Sequence, residues 1–202
     1  VKRVLLTSSG GVYGPQPDGL EKIPESYLGI PDPLDPLNAY SIGKRAAEHL
    51  CTLYNDRFGL ESVIARCFAF VGEDLPLNAH FAIGNFIHDA LYSNKINVAG
   101  DGTPVRSYMN QTDLARWLLC ILDKGVPGRA YNVGSDEAIS ISALAYLVRD
   151  ILSPHKPVVF GHTENGFQGR NVYIPDINKA KTELNLKLTI PLYKSIEEFL
   201  RK

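Results

Sequence analysis

Sulfur and charge of any one sign are what this sequence has least of. Three cysteines and a single methionine stand in 202 residues, and 21 Lys+Arg face 22 Asp+Glu for a formal net charge of −1. Cys51, Cys67 and Cys120 are odd in number, widely spaced and without a CxxC pair. That excludes a disulfide framework and a thiolate zinc site and leaves buried thiols as the reading. The histidines His49, His80, His88, His155 and His162 show neither HxH nor HxxxH spacing, so no metal site is expected. No run of Lys and Arg builds a positive face, which argues against nucleic acid and anionic lipid as partners. No apolar run approaches the ~20 residues that span a bilayer, and Val1 to Leu6 is too short for a secretory signal. No membrane association and a cytoplasmic location are therefore expected. Nor do the glycines form a phosphate loop: no GxGxxG or GxxGxxG joins a strand to a helix, no Gly-Lys-Ser/Thr occurs, and Gly10-Gly11-x-x-Gly14 runs into prolines.

What is present is a globular composition, 45% hydrophobic and 21% charged, enough for a core in one domain or two small ones. Val4-Leu5-Leu6 is an unalternating apolar run that breaks into Thr7-Ser8-Ser9-Gly10-Gly11, as in a strand of a parallel sheet covered on both faces. Such a strand has neighbours supplied by earlier βα units, and none precedes it. The expectation is that the chain is the C-terminal part of a longer protein. Five prolines between Gly14 and Asp35 mark a long loop over the strand's carboxyl end. Residues 38–58 then read as helix, with Ala46, Ala47, Leu50, Cys51, Tyr54 and Phe58 at three- and four-residue steps and Gly59 as the stop. Residues 62–71 read as a second buried strand, completing a βαβ unit. Further helices are expected over 80–92, 112–122 with Thr112 as N-cap, from Ser140 or Ser142 to 152, and over 177–184 and 192–200. Short strands are expected at 96–98, 130–133 and 158–160.

Tyr40-Ser41-Ile42-Gly43-Lys44 sets a phenol and an ammonium one turn apart on one helix face. A cation held there favours phenolate, which is what lets a tyrosine exchange protons near neutral pH. The spacing alone does not separate this pair from a solvated helix start. Its context does, because the pair follows a loop that leaves a strand end rich in hydroxyls, where ligands of open α/β sheets bind.

The run Ser8-Ser9-Gly10-Gly11-Val12-Tyr13-Gly14 followed by Tyr40-x-x-x-Lys44 resembles the extended short-chain dehydrogenase/reductase family, in its branch of NAD-dependent nucleotide-sugar epimerases and dehydratases. Arg66-Cys67-Phe68-Ala69-Phe70-Val71-Gly72 resembles that family's strand and turn under the nicotinamide. Gly100-Asp101-Gly102-x-x-x-Arg106-Ser107-Tyr108 with Asp113 resembles its substrate-domain signature, and Asp176-x-x-Lys179-Ala180 with Leu184 its C-terminal segment. The resemblance implies an α/β class: a Rossmann-like doubly wound parallel sheet, partial because its N-terminal βα units are lacking, with a smaller mixed α/β substrate domain. Residues 1–66 and 107–137 would belong to the first, and 67–106 and 138–202 to the second.

The same resemblance implies roles. Ser9, with Ser8 as the alternative, would hydrogen-bond the reacting oxygen of the sugar. Tyr40 would be the acid/base, and Lys44 would hold the nicotinamide ribose and tune Tyr40. Phe68 would contact the cofactor, NAD or NADP, and Arg106 would grip the nucleotide diphosphate. Asn85 and Arg170 are further substrate-side candidates, and a homodimer through the helix of Tyr40 and Lys44 is implied. The departures are informative. Where 4,6-dehydratases carry an Asp-Glu pair this chain has Gly10-Gly11, and two glycines move no protons. The expectation is therefore an epimerase or a 4-keto reductase, with a 4,6-dehydratase or a non-catalytic relative as alternatives. The family's usual Asn is Ala69 and its usual Pro is Glu73, so sugar contacts near that turn should differ.

Overall fold

The fold is taken from a computed structural model that describes residues 1–77, 79, 81–161 and 171–201. Strand β1 (Arg3–Ser9) runs into a 3-10 turn at Gly10–Tyr13, and the proline-rich loop ends in a second such turn at Pro36–Asn38. Helix α1 (Ala39–Phe58) follows and stops at Gly59, whose φ of 65° is the left-handed geometry that a glycine adopts without strain. Strand β2 (Glu61–Cys67) lies parallel to β1, Leu5 beside Val63 and Ser9 beside Cys67. The sheet is completed by β7 (Ala130–Val133), and its order is β1-β2-β7.

The expected strand over 62–71 breaks after Cys67. Its last residues form β3 (Phe70–Val71), which pairs with β6 (Met109–Asn110) and not with the sheet. The cause is visible at β7 (Ala130–Val133), which ends where Phe68 N–H donates to the Val133 carbonyl. With no partner beyond, the chain peels away into the second lobe. That lobe holds α2 (Ala82–Tyr92), β4 (Ile96–Val98) parallel to β9 (Val158–Phe160), and β5 (Val105–Arg106) antiparallel to β8 (Ile139–Ser140). It also holds α4 (Ile141–Leu152) and α6 (Leu192–Glu197).

Helix α3 (Gln111–Lys124) and α5 (Asn178–Leu184) pack with the sheet. The N-cap of α3 is Asn110, not Thr112: the buried Asn110 side chain accepts from Thr112 N–H at 2.7 Å while donating to Ser195 and Glu198. Tertiary anchoring thus selects the residue two places earlier. Ser140 caps α4, accepting from Ala143 N–H.

Two main cores form. Val63, Ala65, Trp117, Ile121, Tyr131, Val133 and Ile177 bury one face of the sheet under α3 and α5. Ile83, Ile87, Ile96, Leu144, Val148 and Phe199 fill the second lobe. At roughly 1.5–3 kcal/mol for each large side chain removed from water, these clusters dominate the stability. The three cysteines are free and half-buried, less enclosed than the sequence implied; burial pushes the Cys67 thiol up to about 11. Among the described residues no helix is long and apolar enough to cross a membrane.

Candidate functional site

Parallel strands deliver their carboxyl ends to one edge of a sheet, and β1 ends there at Ser9. Ser9 caps the following 3-10 turn, its Oγ accepting from Gly11 N–H at 3.0 Å. Ser8, the alternative, is 3% exposed and donates to the Glu48 carboxylate at 2.5 Å. The alternation of the strand therefore separates the two serines: Ser8 is committed to the interior, and Ser9 sits at the turn.

The first two turns of α1 rest over this edge. Tyr40 is 63% exposed, and Lys44 Nζ lies 5.7 Å from its ring centroid. Lys44 also donates to the Thr7 carbonyl at 2.8 Å, which anchors the helix to β1. Closeness of Ser9 to this helix is read at Gly11: a β-carbon there would lie 2.9 Å from Ser41 Oγ and 3.3 Å from Ser9 Oγ.

Three of the expected substrate and cofactor residues, Phe68, Asn85 and Arg106, meet in one cavity of about 500 Å³, together with Asp101, Tyr108 and Tyr173. Phe68 stacks on Tyr173 with ring centroids 4.6 Å apart. Arg106, in the cavity lining, donates to the carbonyls of Val105 and Asn171. Burial pushes the Tyr108 hydroxyl up to about 12, so it remains a proton donor at neutral pH. Ser9, Tyr40 and Lys44 do not line this cavity. Gly10 connects the two places, since a side chain there would run into the Phe68 ring and the Tyr173 hydroxyl. Arg170 lies outside the described residues, as do His80 and His162. Tyr173 and Glu48 were missed by the sequence reading; only Glu48 carried a signal, its spacing of four from Lys44.

Beneath the site lies a polar network. Arg66 meets the Glu48 carboxylate through Nε at 3.0 Å and Nη2 at 2.8 Å, and its Nη1 donates to the Tyr13 hydroxyl at 2.9 Å. Burial opposes the charge on Arg66, but the Glu48 and Tyr13 contacts outweigh it and hold the guanidinium above its ordinary value. Burial also pushes the Tyr13 hydroxyl up to about 12, and it donates to Asn132 at 2.8 Å.

A parallel sheet with a hydroxyl at one strand end, a Tyr-x-x-x-Lys helix above it and an arginine-bearing cleft beside it defines a Rossmann-like α/β protein. The profile of the NAD dependent epimerase/dehydratase family matches residues 1–134, and the chain belongs to that family. UDP-glucuronic acid decarboxylase 1 of Arabidopsis thaliana is 31% identical over 190 residues, 94% of this chain and 42% of the relative. This chain spans about half the length of the curated relatives it matches. UDP-glucuronic acid 4-epimerase of Bacillus cereus, solved with UDP-glucuronic acid and NAD, superposes with a TM-score of 0.80 at 26% identity, covering 98% of this chain and 61% of that one. UDP-glucose 4-epimerase of Thermotoga maritima superposes at 0.86 over 100% of this chain and 63% of that one, with 23% identity, which speaks for the fold alone.

Proposed function

We propose that this chain carries the proton-transfer residues and the substrate cleft of an NAD-dependent nucleotide-sugar epimerase or 4-keto reductase. The observation that carries the reading is the packing of the Tyr40–Lys44 turns of α1 over the strand end that bears Ser9. The residues present fit the nicotinamide-ribose end of a dinucleotide: an exposed phenol and an ammonium stand side by side at the carboxyl edge of a parallel sheet, with the Phe68 ring beyond the next strand end. When bound, the nicotinamide accepts and returns a hydride. Tyr40 takes the proton from the sugar hydroxyl as that hydride leaves and gives it back on return, while Ser9 holds the same oxygen by a hydrogen bond. Lys44 holds the ribose. Arg106 and Asn85 hold the nucleotide diphosphate and the sugar in the cleft, and NADP is the alternative cofactor.

Gly10 and Gly11 support epimerisation or reduction over 4,6-dehydration, because no side chain there can carry the protons of water elimination. The identity with UDP-glucuronic acid decarboxylases favours a second reading. A ketone made at the carbon β to a carboxylate lets carbon dioxide leave, and the residues required for the oxidation are the same. Carbon dioxide release from UDP-glucuronic acid, against appearance of a sugar epimer, separates the two.

Tyr40→Phe in the natural gene product is expected to lower turnover of UDP-glucose or UDP-glucuronic acid by at least ~100-fold while the protein retains NAD. Unchanged turnover would refute the role. The reading includes a cytoplasmic location, a homodimer through α1, and the division at 1–66 with 107–137 and 67–106 with 138–202, to which the cores are an incomplete match because Ile177, Ala180 and Leu186 pack into the sheet core and Tyr108 into the other. Exposed Leu50 and Tyr54 on that helix support the dimer.

A further inference from the structure

We propose that Glu48 is a positioning residue, whose carboxylate clamps Ser8 and Arg66 and thereby sets the Tyr40–Lys44 turns of α1 in register with Ser9. The inference rests on the roles of Ser9, Tyr40 and Lys44 given above.

Tyr40, Lys44 and Glu48 stand four residues apart and share one stripe of α1. The stripe begins in solvent and ends inside, with Tyr40 at 63% exposure and Glu48 at 9%. Glu48 Oε1 accepts from both Ser8 Oγ and Arg66 Nε, and Oε2 accepts from Arg66 Nη2. Ser8 belongs to β1 and Arg66 to β2, so one carboxylate ties the helix to two adjacent strands. Through the Tyr13 hydroxyl and Asn132 the tie extends to β7.

The register follows from the strand. Ser8 and Ser9 are consecutive, and their side chains leave the backbone in opposite directions. Fixing Ser8 with a short charge-assisted hydrogen bond fixes the backbone from which Ser9 projects. Lys44 bonds to the carbonyl of Thr7, the residue before, so successive turns of α1 are pinned to successive residues of β1. Stability alone does not call for an ion pair here, because apolar residues of similar volume in such a place are often as stabilising. What apolar packing does not supply is directional hold on a strand whose next residue must meet Tyr40.

Ser8→Ala removes the hold on β1 and leaves the Arg66–Glu48 pair intact, so it isolates positioning from folding. In the natural gene product with NAD bound, assayed with UDP-glucose and UDP-glucuronic acid, Ser8→Ala should lower kcat about 10- to 100-fold with KM within twofold. Ser8→Thr should restore it, and the melting temperature should stay within a few degrees. Glu48→Gln should cost kcat a similar factor, and adding Ser8→Ala to it should cost little more, as for two parts of one device. Crystal structures of wild type and Ser8→Ala should show the Tyr40 hydroxyl displaced from Ser9 Oγ. Wild-type kcat and unmoved geometry in Ser8→Ala, or losses that multiply in the double variant, would overturn the clamp. Tyr40→Phe measured in parallel keeps the two ideas apart: if it retains turnover the reading of the site fails, whereas if it is inactive and Ser8→Ala is normal only the clamp fails.

Discussion

A β-carbon on Gly10 would come within 2.7 Å of the Phe68 ring and collide with the Tyr173 hydroxyl, and one on Gly11 would lie 2.9 Å from Ser41 Oγ. The absence of acidic side chains after Ser9 is thus matched by neighbours that have moved into the space. Reintroducing a side chain should be costly even when it is small. Gly10→Ala is expected to destabilise the natural gene product by about 1–3 kcal/mol, because two aromatic rings that pack on each other must both shift. Urea unfolding measures this, and a change under 0.5 kcal/mol would mean that the rings yield freely. At this scale much was legible in the sequence. Tyr40, Lys44 and Ser9 could be picked out from their spacing and from resemblance, and the pair of glycines was visible as a departure. Ser9 was preferred to Ser8 on resemblance alone; the strand pattern did not separate them, because the phase of a strand is fixed only when it is known which face α1 covers. Glu48 was hidden for a related reason, since its partners Ser8 and Arg66 lie on two strands that pair only in the fold.

Elements were read best where a local signal stood alone. Gly59 ends α1 where a stop was expected, and β7 spans the expected four residues. The failures occur where tertiary partners override local pattern. An apolar run over 62–71 reads as one strand, yet the sheet offers β2 no partner beyond Cys67, and its tail finds β6 instead. Asn110 displaces Thr112 as cap because Ser195 and Glu198 already hold its amide. Whole faces are harder still. On α1, Ala47 and Cys51 are half-buried whereas Leu50 and Tyr54 are 54% and 52% exposed, a division that periodicity did not make. If that exposed stripe is the homodimer face, Leu50→Glu with Tyr54→Glu should convert a dimer to a monomer in sedimentation equilibrium, since two buried carboxylates in an isologous contact meet their own copies. A dimer that survives both substitutions would remove α1 from the interface.

On the scale of the whole molecule, distant segments are joined by charges at the ends of the sheet. Asp136, just past β7, pairs with Lys22 of the long loop at 3.3 Å and with Lys181 of α5 at 2.9 Å. Burial works against its ionisation, but the two ammonium groups outweigh that and hold the carboxyl below its ordinary value. A carboxyl whose folded value is depressed adds stability above its unfolded value and loses it as pH falls through the folded one. Glu25, in the same loop, has the opposite sign: burial raises its carboxyl, and its contribution is lost as pH rises through the raised value. The two can therefore be told apart by where on the pH axis each acts. Asp136→Asn should lower the melting temperature at pH 7, by the equivalent of about 1 kcal/mol or less for pairs near the surface. The gap from wild type should close as both proteins are taken below the ordinary carboxylate range, where the aspartate has lost its charge. A gap of equal size at pH 7 and at low pH would mean that Asp136 holds the loop and α5 by hydrogen bonding and shape, and that its charge contributes nothing to joining them.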